Sequence, residues 1–286
     1  NTLAPDSKKV YYRGIYATIT DDGDQLNWRL VGMLPEPLAY GVTVTYDNSM
    51  IVVGGMNNDG SRGAVYRVKI VDGKAEVSTL PSLPRTADNM AGALVGRHLY
   101  IAGGTMDGKA SNRVLRLDLD NLSAGWQDVK PFPGMVRVQP VAGSMGDNRF
   151  CLFGGFAPAG NGEEAKLAMD GCIYDETTDE WQVVEGPKDD MNQPLFVGGG
   201  AAINLCSDQL LVMGGVNKDV FLSAVSHPQP DYLSHPIEWY HFNPYTLYYD
   251  KAGWKVLYKS SETARAGAAL AQTHHGLYVI GGELKP

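Results

Sequence analysis

Five short apolar strands, each closed by Gly-Gly, recur at roughly fifty-residue spacing that widens toward the C-terminus, a period typical of propellers and solenoids. They occupy residues 50–55 (MIVVGG), 99–104 (LYIAGG), 150–155 (FCLFGG), 210–215 (LLVMGG) and 277–282 (LYVIGG). Apolar runs this short, bounded by turn residues, read as buried strands rather than helices. A stretch rich in small residues precedes each one: 40–44 (YGVTV), 90–94 (MAGAL), 141–145 (VAGSM), 199–203 (GGAAI) and 265–269 (RAGAA). Small side chains let strands crowd together, as the innermost strands of a ring of sheets must. A third strand follows the Gly-Gly, as in 64–70 and 113–119, and a fourth carries tryptophan at Trp28, Trp126, Trp181 and Trp254. A large ring there would fill the wide outer space between neighbouring sheets.

Four strands per unit, Gly-Gly after the second and a late Trp make the pattern of an all-β, kelch-type β-propeller with four-stranded blades. An irregular β-sandwich is the weaker alternative, because sandwiches lack a fixed repeat. Residues 1–286 are expected to form a single propeller domain whose ends do not match. The N-terminus opens with a third strand (10–19) and a fourth (26–31), whereas the C-terminus stops just after a Gly-Gly. The first 35 residues could complete the last unit and close five blades, or about one blade's worth of sequence could be absent from a ring of six.

The rest of the composition narrows the function classes. With 34 Gly, 16 Pro and 44% apolar residues the chain is a globular β protein rather than a disordered one. No apolar run is long enough to span a membrane. The net charge of −8 carries no basic cluster, which argues against nucleic acid. Cys151, Cys172 and Cys206 fit no zinc or redox spacing; Cys151 and Cys206 lie in apolar strand patterns and read as buried free thiols. The chain opens at Asn1 without Met or a signal peptide, so either a targeting segment has been removed or residues are missing.

Several segments resemble the bacterial sialic acid mutarotases, in cyclically permuted order. Residues 8–11 (KKVY), 39–42 (AYGV), 48–55 (NSMIVVGG) and 68–74 (VKIVDGK) come first here, whereas similar segments end the non-permuted enzymes. Residues 214–221 (GGVNKDVF) resemble a mid-chain motif of the family, and 282–286 (GELKP) resemble its Gly-Glu-x-Lys-Pro-Gly-x-Arg motif, whose Glu and Arg are the proposed active-site pair. This chain stops before the motif's Arg. The resemblance implies six blades and a cofactor-independent isomerase that interconverts the anomers of N-acetylneuraminate. A small acidic sugar is then the partner, a homodimer is possible, and the location is periplasmic or otherwise exported.

Propeller ligands bind at the axis, so polar residues on inner strands or just after Gly-Gly are the candidates. Glu283 follows a Gly-Gly directly and is the expected catalytic acid/base group. Arg85, Arg137 and Arg265 lie at or near the starts of inner strands, and a planar guanidinium suits a sugar carboxylate; inter-blade salt bridges are their structural alternative. Asp88, Asn89 and Gln139 could bond the glycerol and N-acetyl groups or satisfy backbone. Asn217 could read a hydroxyl, Phe221 could pack the acetyl methyl, and the Tyr40 hydroxyl could reach ligand or a neighbouring blade. Arg137, Arg265, Asn217 and Glu283 are expected to converge on one mouth of the channel. The pair His274-His275 sits in a turn away from the axis and is not expected to bind metal. Residues 223–244, rich in Pro, His, Tyr and Trp, are too long for a hairpin loop and read as a lid or a subunit contact.

A non-catalytic propeller that binds a carbohydrate or protein partner is the competing reading, since fold alone does not choose a function. A scaffold has no need to gather a carboxylate and several cationic and amide side chains at its axis. A copper oxidase on this fold needs His ligands near the axis, and the six His are mostly in the insertion and a turn.

Overall fold

The computed structural model describes residues 2–3, 9–18, 26–160, 162–206 and 208–285; Asn1, Lys8, Ile19 and Pro286 from the sequence reading lie outside them. Among the described residues, four antiparallel four-stranded sheets follow one another along the chain. Blade one is Val42–Tyr46, Ser49–Asn57, Gly60–Val71 and Lys74–Thr79. Blade two is Ala91–Val95, His98–Ala102, Val114–Asp118 and Trp126–Val129. Blade three is Val141–Met145, Arg149–Phe153, Asp170–Asp175 and Glu180–Glu185. Blade four is Ala201–Cys206, Gln209–Met213, Tyr245–Asp250 and Gly253–Lys259. Two-stranded sheets flank the series: Gly14–Ala17 with Arg29–Met33 beside blade one, and Ala269–Thr273 with Gly276–Ile280 beside blade four. No ladder joins these two pairs among the described residues.

The small-residue strands are innermost, and the first strands of consecutive blades pack on one another. A β-carbon on Gly92 would stand 2.7 Å from Val42 of the preceding blade, and one on Gly143 would stand 2.3 Å from Leu210 of the next. These contacts are why the inner strands tolerate so little side chain. Both residues of every Gly-Gly that closes a strand adopt positive φ, for example 68° and 73° at Gly103 and Gly104, a region costly for residues with a β-carbon. Gly104 is also enclosed, its missing β-carbon lying 2.4 Å from the Asp88 carbonyl oxygen. Gly104→Ala should therefore lose about 3 kcal/mol of stability, combining backbone strain with overpacking. Gly108→Ala, at φ 76° in open space, should lose only about 1 kcal/mol. Urea unfolding of the two variants measures the difference.

Blades adhere through apolar cores and a repeated tryptophan hydrogen bond. Val42, Ile51 and Val53 of blade one pack with Leu99, Ile101 and Leu115 of blade two. Phe150 and Leu152 of blade three close on Tyr100 and Val114 of blade two, and Val212 and Leu247 of blade four on Cys151 and Phe153 of blade three. The indole N–H of Trp126 donates to the Pro81 carbonyl at 2.8 Å, Trp181 to Lys130 at 2.8 Å and Trp254 to Glu185 at 3.0 Å. Each bond reaches the end of the preceding blade's outer strand, in the space where the sequence expects these rings. Trp28 makes no counterpart of this bond among the described residues and stays 48% exposed. Cys151 and Cys172 are buried and free, and burial pushes the Cys151 thiol up to about 12. Cys206 is instead exposed: it closes its strand at an irregular register step, where its thiol reaches Gln209, so its apolar sequence context misleads.

Candidate functional site

One mouth of the channel is built by the segments that lead into the inner strands and by the loops after Gly-Gly. The residue after each Gly-Gly pairs with the segment leading into the same inner strand. The partners are Met56 with Ala39, Thr105 with Asp88, Phe156 with Val138, Val216 with Gly198 and Glu283 with Ala266. The next residue of each leading segment turns left-handed: Tyr40 (φ 59°), Asn89 (52°), Gln139 (53°), Gly199 (71°) and Gly267 (63°). That turn aims the amides of the last four at the preceding blade. Asn89 N–H donates to Tyr40 O at 2.8 Å, Gln139 to Asn89 at 2.8 Å, Gly199 to Gln139 at 3.1 Å and Gly267 to Gly199 at 2.7 Å. A main-chain collar thus runs from blade to blade around the axis.

Three of the collar positions carry polar side chains. Asp88, buried, accepts from the Ser61 hydroxyl at 2.6 Å and from the Asn89 amide at 2.7 Å. Asn89 in turn accepts from the Gln139 amide at 3.3 Å, so Asp88 orients an amide pair on the collar. At the other end Lys9 Nζ donates to the Tyr40 hydroxyl at 2.7 Å and lies 4.7 Å from the centre of its ring. Burial works against the charge on Lys9. The bond to Tyr40 and the fields of Tyr40, Tyr11 and Glu283 outweigh it and hold its pKa above the ordinary lysine value. The charge of Glu283, near the far end of the chain, thus acts on Lys9, which is held by Tyr40. Glu283 is fixed there by its main chain, donating to Ala266 O at 2.7 Å and accepting from Ala266 N at 3.1 Å.

The arginines stand elsewhere than expected. Arg137 is 1% exposed; it donates to the carbonyls of Gly154 and Asp170, both at 3.2 Å, and to the Asp170 carboxylate at 2.7 Å. Its guanidinium ties a Gly-Gly to the third strand of its own blade instead of facing the axis. Arg265 likewise reaches a Gly-Gly carbonyl, donating to Gly281 O at 3.0 Å, and binds Glu262 O in the turn before it at 2.8 Å. Both occur two residues before the left-handed residue, a position filled in blades two and four by the buried Ala87 and Val197. Arg85 pairs with Asp107 at 2.8 Å, outside the collar, as an exposed salt bridge. Arg137 and Asp170 also border an open depression of about 520 Å3 over the outer strands of blade three, with Met135, Met169 and Pro187.

Asn217 and Phe221 serve the insertion. Asn217 Oδ1 caps the helix Lys218–Ser226, accepting from Asp219 N at 3.0 Å and Val220 N at 3.1 Å, a strongly preferred N-cap arrangement. Phe221 is buried between Phe156 and Phe196, with ring centres 5.0 and 6.1 Å away. Its ring is thus enclosed by protein and anchors the helix. The insertion begins at this helix, earlier than the sequence composition indicates. With Tyr240 and Phe242 it packs on Leu167 and Met169 of blade three and on Ala266, and Lys285 donates to its Leu233 carbonyl at 3.1 Å. It packs on Phe156, Val216 and Ala266 at the rim of the mouth and so joins neighbouring blades. His274 and His275 are exposed in their turn, and no group of three or more His, Cys, Asp or Glu suited to a metal occurs among the described residues. No helix among them is long and apolar enough to cross a membrane.

The family model of N-acetylneuraminate epimerase matches residues 80–286. The chain belongs to the N-acetylneuraminate epimerase family. A Yersinia enterocolitica protein named N-acetylneuraminate epimerase is 30% identical over 228 residues, 74% of this chain and 56% of that one. A Vibrio cholerae protein named Kelch domain-containing protein is 25% identical over 224 residues, 72% of this chain and 60% of that one. The chain thus spans little more than half the length of these relatives. The solved structure of YjhT superposes with a TM-score of 0.59 at 23% identity, covering 72% of this chain and 61% of that one, which agrees with the kelch-type propeller fold.

Proposed function

We propose that the protein interconverts the α and β anomers of N-acetylneuraminate by ring opening and closure, with Glu283 as the acid/base group. The observation that carries this reading is the Glu283 carboxylate directly after a Gly-Gly at the collar, in a chain of the epimerase family. A carboxylate at the mouth accepts the proton of the anomeric hydroxyl. The bond from the anomeric carbon to the ring oxygen breaks, and the ring oxygen takes a proton from a hydroxyl or water of the mouth. Rotation about the adjacent carbon–carbon bond presents the other face of the keto carbon. The same proton transfers in reverse close the ring, so atoms and charge balance without electron transfer. Asn89 and Gln139, aligned by Asp88, supply amide groups suited to hydroxyls and to the N-acetyl group. Tyr40 supplies a phenol on the same collar.

The test is NMR of freshly released α-N-acetylneuraminate. Catalytic amounts of protein should speed its approach to the anomeric equilibrium well beyond the spontaneous rate. A protein that binds the sugar without changing that rate would be the binding propeller instead, a reading favoured by the relative named only for its kelch domain.

A further inference from the structure

An acidic sugar presents a problem of charge. The protein carries a net −8, and the reaction proposed above places another carboxylate beside it. In a sialic acid the carboxylate is bonded to the anomeric carbon itself. Whatever cation receives it must therefore stand within a few bond lengths of the group that handles the anomeric proton. Arg137 fails this requirement, because its guanidinium is closed inside blade three. Arg265 is tied to the Gly281 and Glu262 carbonyls, and Arg85 to Asp107. Lys218 pairs with Asp219, and Lys285 with the Leu233 carbonyl.

Lys9 meets the requirement. Its exposed ammonium has three N–H donors, and its one hydrogen bond among the described residues goes to the Tyr40 hydroxyl at 2.7 Å. It lies within the field of the Glu283 carboxylate. Tyr40 holds a left-handed backbone with φ 59° at a collar position where other blades carry Asn89, Gln139, Gly199 and Gly267. A bulky residue there is uncommon, and such strain concentrates at functional sites. Here it sets a phenol under Lys9. Lys9 also precedes the span matched by the family model, which starts at residue 80.

We infer that Lys9, seated on Tyr40, is a cation that receives the carboxylate of the sugar at this mouth. This rests on the sialic acid reading, and the test separates the two. N-acetylneuraminate and its methyl ester, which keeps the anomeric hydroxyl but lacks the charge, are compared with wild-type protein, Lys9→Gln and Lys9→Arg. Mutarotation is followed by NMR and binding by calorimetry. Wild type should favour the acid over the ester. Lys9→Gln should raise KM and Kd for the acid about 10–100-fold, the size of one lost hydrogen bond between charged groups, and should leave the ester within about 2–3-fold. Lys9→Arg should restore most of the preference. Equal losses for acid and ester, or an unchanged acid KM in Lys9→Gln, would overturn the assignment of Lys9 while leaving the activity standing. Wild type that neither turns over nor binds either sugar would overturn both.

Discussion

Glu283→Gln should slow mutarotation of N-acetylneuraminate by about 10²–10⁴-fold, the usual size of a general acid–base contribution, while KM changes little. The substitution keeps the side chain's shape and removes its capacity to accept a proton at neutral pH. It leaves the main-chain pairing with Ala266 intact, so the collar and the fold should survive, and an unchanged melting temperature would establish that. A loss confined to kcat is the signature of an interaction used in the transition state and not in ground-state binding. Near-wild-type rates would remove Glu283 from the chemistry and leave the mouth as a binding site.

Arg137→Ala should act on stability and not on the sugar. The buried guanidinium holds the Gly154 and Asp170 carbonyls and the Asp170 carboxylate at once. Its removal strands these acceptors and opens a void under the Gly-Gly, and breaking a buried ion pair in this way typically costs roughly 3–5 kcal/mol. The Asp170 side chain is about half exposed, 46%, which places the expected loss toward the lower end. Arg137→Lys should recover only part of it, since a single ammonium cannot fork between three acceptors. Urea unfolding and sugar KM should be measured on the same preparations. A stable Arg137→Ala with a large rise in KM would mean that the side chain leaves the blade to meet ligand.

The propeller was legible because its determinants are local and repeated. Two successive positive φ angles demand Gly-Gly, and the crowding of inner strands demands residues such as Gly92 and Gly143. The indoles of Trp126, Trp181 and Trp254 bridge blades where a late aromatic residue is expected. Side-chain direction was less legible. Proximity to an inner strand suggested that Arg137 faces the axis, but the left-handed residue that follows reverses the chain and turns that position into the blade. Superposing the repeats would have warned of this, since Ala87 and Val197 at the same position are buried. Asn217 and Phe221 sit in a specific motif, yet the motif begins a helix, and capping and anchoring that helix occupy both. Lys9 lies in the KKVY segment that resembles the family, yet nothing local gave it a role, because Tyr40, the residue that holds it, is joined to it only by the fold.

The collar has a consequence for how such a site can change. Adhesion between blades at the mouth runs through amides and carbonyls, which every residue type except proline can provide. The side chains at 40, 89, 139, 199 and 267 are therefore relieved of holding the ring together. Their one constraint is conformational, and glycine, asparagine and, as here, glutamine and tyrosine all meet it. A new ligand preference can be written by exchanging these few groups, one blade at a time, on an unaltered frame. Mechanical integrity and chemical taste are thus inherited separately, which allows a single architecture to be retuned from one sugar to another by point substitution.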